Sequence, residues 1–214
     1  AVPWLKAVCV FRNEGVGAGA SLPHCHSQIL ATDFVGHRVA RQTRRAEQSR
    51  ENSGRCIVAE WLSGELDADV RVLRQSPDFA TICPYASRVP WQSRIVPLTS
   101  HRFDQLSAPQ ILALAGELHA VATAVHAVAP NLAHNVVVTL PPTAAPDVFR
   151  WHIDVLPRPN RMAGFEFGTD VDILAVSPET AAAQLREHLP PATGPLAVEA
   201  LFPDRFTWTE SDGE

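Results

Sequence analysis

Two histidines and a glutamine at alternate positions, His24, His26 and Gln28, follow a run of small residues, Gly15-Val16-Gly17-Ala18-Gly19-Ala20-Ser21. A neutral imidazole can attack phosphorus, and an amide can steady the charged oxygens of the transition state. Glycines and small side chains let the backbone turn tightly and bring its N–H groups close to an anion. Two imidazoles and an amide just after such a loop point to phosphate chemistry. The alternative is a half-buried strand whose histidines pack or bind a metal.

The spacing predicts a strand from His24 to Ala31, with His24, His26 and Gln28 on one face, about 7 Å apart by the strand rise. Cys25, Ser27 and Ile29 fall on the other face, so Cys25 reads as core packing. Pro23 fixes the entry, and Val8 to Phe11 reads as a strand leading into the loop. Gly36 to Asn52 reads as a helix bearing Arg38, Arg41, Arg44, Arg45 and Arg50, either a solvated face or a surface that attracts phosphate. A second helix, Arg55 to Ser63, ends at Gly64. Strands are predicted at Val70 to Arg74, Asp78 to Pro84 and Gln92 to Pro97. A long helix follows from Ser107 to Val128, with Ser107 as cap and Pro109 in the first turn. Asn135 to Leu140 and Val148 to Leu156 read as strands, and Ser177 to Leu189 as a last helix. The tail, residues 190–214, receives no assignment.

The bulk properties frame these motifs. The 214 residues are 46% hydrophobic with a net charge of −5, which fits a globular chain with a sizeable core. No basic field argues for nucleic acid, and no apolar run reads as membrane-spanning, so neither partner is expected. Cys9, Cys25, Cys56 and Cys83 form no Cys-x-x-Cys pair, as expected of reduced thiols in the cytoplasm. Asn135 to Pro157 repeats the plan of Cys9 to Leu30, strand, small-residue loop, strand, with Arg150, His152 and Asp154 alternating where the first copy has His24, His26 and Gln28.

The run Asn13 to Gln28, above all Gly19-Ala20-Ser21-Leu22-Pro23-His24-x-His26-x-Gln28, resembles the active-site segment of galactose-1-phosphate uridylyltransferases, in the histidine-triad superfamily. Phe149 to Arg158, then Gly164-Phe165-Glu166 and Pro178-Glu179, is similar to that family's C-terminal signature. The resemblance implies an α+β fold of two histidine-triad-like repeats with antiparallel sheets and packed helices. The first, residues 1–75, would be incomplete at its N-terminus, and the second would be residues 76–189. It also implies a cytoplasmic homodimer of galactose and carbohydrate metabolism. Such an enzyme moves a nucleoside monophosphate, UMP in the family, between a nucleoside diphosphate sugar such as UDP-glucose and a sugar 1-phosphate.

On this resemblance His26 matches the nucleophile and Gln28 the residue holding the phosphoryl oxygens. Ser21, with the backbone of Gly19 and Ala20, would cradle phosphate, and Asn13 would support the loop or touch a phosphate. Glu166 matches the carboxylate that binds sugar hydroxyls across the dimer. His24 matches a zinc ligand whose usual partners, a cysteine pair and a histidine, lie upstream of this sequence. A second metal site of the family would need a histidine where Arg150 stands, leaving His152 as a hydrogen-bonded structural residue. A related phosphorylase, and a non-catalytic sugar-nucleotide-binding or dimerising piece, remain alternatives. Base and sugar are not legible.

Overall fold

Short apolar, β-prone runs give the strands, and apolar stripes at helical spacing give the helices. In this computed structural model residues 2–22, 24–99, 102–159 and 163–191 are described. Pro23 and all but the first residues of the tail lie outside them. The strands are β1 (Ala7–Glu14), β2 (Ser27–Thr32), β3 (Val72–Gln75), β4 (Phe79–Ile82), β5 (Ser93–Pro97), β6 (His134–Thr139) and β7 (His152–Pro157). The helices are α1 (His37–Ser53), α2 (Ile57–Ala68), α3 (Ala108–Val128), α4 (Gly164–Thr169) and α5 (Pro178–Arg186). All seven strands form one antiparallel sheet in the order β2-β1-β6-β7-β5-β4-β3, so the fold is α+β as expected.

The sheet has two clothed faces. On one, Val138, Ile153, Ile95 and Phe79 pack against Leu114 of α3, with Trp151 edge-on to Phe79 and Phe103. Val155 and Cys83 meet Val121 and Val125 of α3 and Leu185 of α5 on the same side. On the other face Ala80 and Val96 pack against Leu62 of α2. Arg71 ties the helices on opposite faces together. It donates to the buried Glu65 of α2 at 3.0 and 2.9 Å and to Glu179 of α5 at 2.7 Å.

The internal repeat is visible in the register. One constant offset carries the pair Phe11–Gln28 of β1–β2 onto Val137–Asp154 of β6–β7, and Val8–Ala31 onto His134–Pro157. The same offset sets His26 against His152 and His24 against Arg150. The two copies join where β1 pairs with β6. They differ at their outer edges, since β7 is covered by β5 whereas β2 is the edge of the sheet, with Ile29 72% and Leu30 54% exposed.

Several local expectations change. His24 and His26 precede β2 rather than lying on it, because the first ladder pair is Arg12–Ser27. Cys25, expected in the core, is exposed, since the segment that bears it is not part of the ladder. Gly64 does not stop α2, which runs one turn further and ends at Asp69, left-handed at φ 50°. β7 begins at His152, four residues later than predicted, and α4 forms in a stretch that received no assignment. Contrary to the reading of the apolar runs, α3 is long and apolar enough by composition to cross a membrane, with a mean hydropathy of 1.6. Here its apolar face covers the sheet, and its buried Glu117 accepts from Thr81 at 2.7 Å.

Candidate active site

The loop between β1 and β2 is shaped by what it must pass. At Gly15 (φ 80°, ψ 156°) an added Cβ would stand 3.1 Å from the Cβ of Ala133, the residue just before β6. That conformation is nearly closed to any residue but glycine. Val16–Ala18 then make one 3₁₀ turn, closed by Gly19 in the left-handed region at φ 84°. The N–H groups of Ala18, Gly19 and Ala20 donate to Gly15 and Val16 carbonyls at 3.0 to 3.2 Å. The amides of Gly19 and Ala20, expected at a phosphate, thus hold the loop's own shape. The Ser21 hydroxyl is exposed and without a hydrogen bond among the described residues.

The brace comes from the second repeat. The amide of Asn135, on β6 and 7% exposed, donates to Asn13 Oδ1 at 2.7 Å and to the Ala18 carbonyl at 2.8 Å. Its own carbonyl oxygen accepts from Arg158 Nε at 2.6 Å. The Asn13 side chain thus ties into the brace of the loop. Asn135 and Arg158 were missed by the sequence reading. The signal was present as a lone amide opening the otherwise apolar run Asn135-Val136-Val137-Val138, where an unpaired buried polar group would be costly.

His26 Nδ1 lies 3.0 Å from the carbonyl oxygen of His24. A carbonyl only accepts, so Nδ1 carries a proton, and in the neutral ring the lone pair falls on Nε2. No described residue occupies Nε2. This is the tautomer a nitrogen nucleophile needs. His24 packs edge-on to it, ring centroids 5.7 Å apart. Beside them the Arg12 guanidinium holds the Glu14 carboxyl below its usual range against a smaller opposing effect of burial, with His134 and His26 contributing. Glu14 thus stays an anion paired with Arg12. Gln28 is exposed at the edge strand, its amide without a partner among the described residues. By register it shares its sheet face with Phe11, Val137 and Asp154.

The remaining candidates fall elsewhere. Glu166 lies in α4, where Oε2 accepts from the Ala163 N–H at 3.0 Å, and no described residue links it to the loop or to His26. Among the described residues no three of His, Cys, Asp or Glu gather as a metal site, so His24 has no companion ligands among them. His152 is 5% exposed and lies 3.7 Å from Asp154, which Arg94 grips at 2.8 and 2.9 Å and Gln92 at 3.1 Å. Burial, with the Arg94 charge beside it, pushes His152 down to about 4. Its ring is thus enclosed beside the Arg94–Asp154 pair.

No family model matches the chain. Its sequence is 27% identical over 188 residues, 86% of the chain, to an ADP-glucose phosphorylase of Arabidopsis thaliana. It is 29% identical over 104 residues, 48% of the chain, to a galactose-1-phosphate uridylyltransferase of Haemophilus influenzae. The crystal structure of an Arabidopsis thaliana ADP-glucose phosphorylase with bound ADP-glucose superposes on 86% of the chain with a TM-score of 0.77 at 25% identity, covering 59% of that protein. The chain spans about half the length of the phosphorylase sequence, 52%, and 30% of the uridylyltransferase. In sequence and in fold the chain is thus similar to galactose-1-phosphate uridylyltransferases and to ADP-glucose phosphorylase.

Proposed function

We propose that this chain carries the transfer centre of an enzyme that moves a nucleoside monophosphate from a nucleoside diphosphate sugar to a second phosphate acceptor through His26. The observation that carries the reading is the Nδ1 hydrogen bond of His26 to the His24 carbonyl, which in the neutral ring puts the lone pair on Nε2 beside the braced loop. In the first step the Nε2 lone pair forms a bond to the α-phosphorus, and the bond to the bridging oxygen breaks. Sugar 1-phosphate leaves with that electron pair. The imidazolium charge is shared with the Nδ1–H that the carbonyl already accepts. In the second step a phosphate oxygen of the acceptor attacks the same phosphorus and the P–N bond breaks, restoring His26. Gln28 would donate to the phosphoryl oxygens, and the Ser21 hydroxyl to the neighbouring phosphate. Gln28 has no acid–base function, so it does not activate water, and the intermediate waits for a phosphate acceptor.

The family resemblance makes a sugar 1-phosphate the acceptor and UMP the group moved. A second reading, transfer of AMP to inorganic phosphate, rests on the ADP-glucose phosphorylase that aligns with 86% of the chain, against 48% for the uridylyltransferase. Isotope exchange tests the half-reaction common to both. Labelled glucose 1-phosphate should enter ADP-glucose or UDP-glucose without any second acceptor, and the His26→Asn variant should abolish it. Absence of exchange in the unsubstituted chain would refute the reading. Adding phosphate or galactose 1-phosphate then tells which acceptor is used.

Zinc on His24 would orient the His24–His26 segment. The described residues supply one such ligand, so no step depends on it here. A homodimer fits the exposed Phe165 and Phe167 flanking Glu166, with that carboxylate presented to sugar hydroxyls of the neighbour.

A further inference from the structure

The basic helix α1 finds a use on the same sheet face as Gln28, away from His26. Between α1, α2 and the sheet lies a cavity of about 710 Å³. Its floor is His152 and Asp154 of β7, and its outer wall is Cys9 and Leu30 of β1 and β2. Arg38, Arg41 and Arg45 of α1 line the other side. At helical spacing i, i+3 and i+7 these residues fall within an arc of about 60° and about 10 Å along the axis.

The charges do not balance. Asp154 is the carboxylate among the lining residues, and it is already satisfied by Arg94 and Gln92. Among the described residues Arg38, Arg41 and Arg45 make no hydrogen bond and no ion pair. Asp172, whose field reaches Arg38, is held by Arg88 at 2.6 and 3.0 Å. Burial and the neighbouring Arg88 and Arg41 charges push the Arg38 guanidinium below its ordinary range, with Asp172 and Asp170 opposing them only in part, as expected where positive charge is crowded. Arg44, by contrast, does not line the cavity.

We infer that this cavity is a second, non-catalytic anion site, which takes a phosphate dianion, free or as a monoester of a small polar molecule, on Arg41 and Arg45 with Arg38 beside them. Guanidinium pairs bind phosphate through charge-assisted, bidentate hydrogen bonds. The volume is in the range of small-molecule sites and exceeds what inorganic phosphate alone fills. By the internal repeat the cavity stands over His152 as the transfer centre stands at His26. His152 is neutral and enclosed, so the second copy offers binding without a nucleophile.

Calorimetric titration at low ionic strength with inorganic phosphate, and separately with glucose 1-phosphate, tests this. Saturable binding is expected in the unsubstituted chain and in the His26→Asn and Gln28→Ala variants. It should weaken at least tenfold in Arg41→Gln/Arg45→Gln and stay unchanged in Arg44→Gln. All three arginines are exposed, so these changes leave the core intact. Tighter binding of glucose 1-phosphate assigns the site to organic phosphates, and equal affinities assign it to inorganic phosphate. Three results overturn the proposal. They are no saturable binding, equal weakening by Arg44→Gln, and loss of binding in His26→Asn, which would place the anion at the transfer centre.

Discussion

Replacing Asn135 by alanine should release the glycine loop between β1 and β2 without touching any residue proposed to meet substrate. The side chain makes two donated bonds, to Asn13 Oδ1 at 2.7 Å and the Ala18 carbonyl at 2.8 Å, and accepts one charged bond from Arg158 at 2.6 Å. At about 1 kcal/mol net for each neutral bond and about 2 kcal/mol for the charged one, Asn135→Ala should lose about 4 kcal/mol. Asn135→Asp separates the contributions. It keeps the Arg158 partner as an ion pair but sets an acceptor against the Ala18 carbonyl, so it should lose only about 2 kcal/mol. Both variants free the loop equally. Urea denaturation measures the two stabilities, and hydrogen exchange on residues 13–22 reports the loop. Both variants should speed exchange of the Ala18, Gly19 and Ala20 amides by at least tenfold and lower the transfer rate together. The brace does not exist if Asn135→Ala costs under about 1 kcal/mol, or if those amides exchange as before.

Four further outcomes follow from the geometry. His152 is pushed down to about 4, below its unfolded value of 6.5, so the unfolded chain takes up a proton that the folded one refuses. Stability should therefore fall as pH drops from about 6.5 to 4, by about 3 kcal/mol in all. This slope should flatten in His152→Gln when read by denaturant melts at several pH values. Burial would raise the Asp154 carboxyl, but Arg94 and the donated hydrogen bonds outweigh it and hold it low, so its contribution is lost only at more acidic pH, as the carboxylate protonates. Gly15→Ala should cost about 1–3 kcal/mol, from its backbone region and the approach to Ala133, measurable as a lower Tm. Arg71→Met should leave Glu65 buried and unpaired and cost about 3–5 kcal/mol in urea denaturation. If the open β2 edge mediates self-association, Ile29→Lys should shift sedimentation toward monomer.

Much of the fold was legible because periodicity and caps are local. Ser107, Pro109 and the apolar stripe set the start and buried face of α3. In the structure Gln110 adds an acceptor for the Ser107 N–H at 3.0 Å. The strand around Ile95 and the repeat at Asn135 to Pro157 were equally readable. Long-range choices were not. Whether His26 lies on a strand or before it depends on where Arg12 pairs with Ser27, a register that alternation alone does not fix. Cys25 carries no mark in its type to say that the ladder starts beyond it. Gly64 looked like a stop, yet Leu62 and Glu65 are both buried, and packing carries the helix past it. Asn135 and Arg158 act on a loop more than a hundred residues away, so pairing of the two repeats was needed to see them.

The central claim is that His26 Nε2 becomes bonded to phosphorus. The direct measurement is incubation of the chain with ADP-glucose or UDP-glucose labelled at the α-phosphorus, followed by quenching and peptide mapping. An acid-labile label should appear on the peptide containing His26, disappear on adding phosphate or a sugar 1-phosphate, and be absent from His26→Asn. Label that survives in His26→Asn, or no label at saturating nucleotide sugar, would contradict the account.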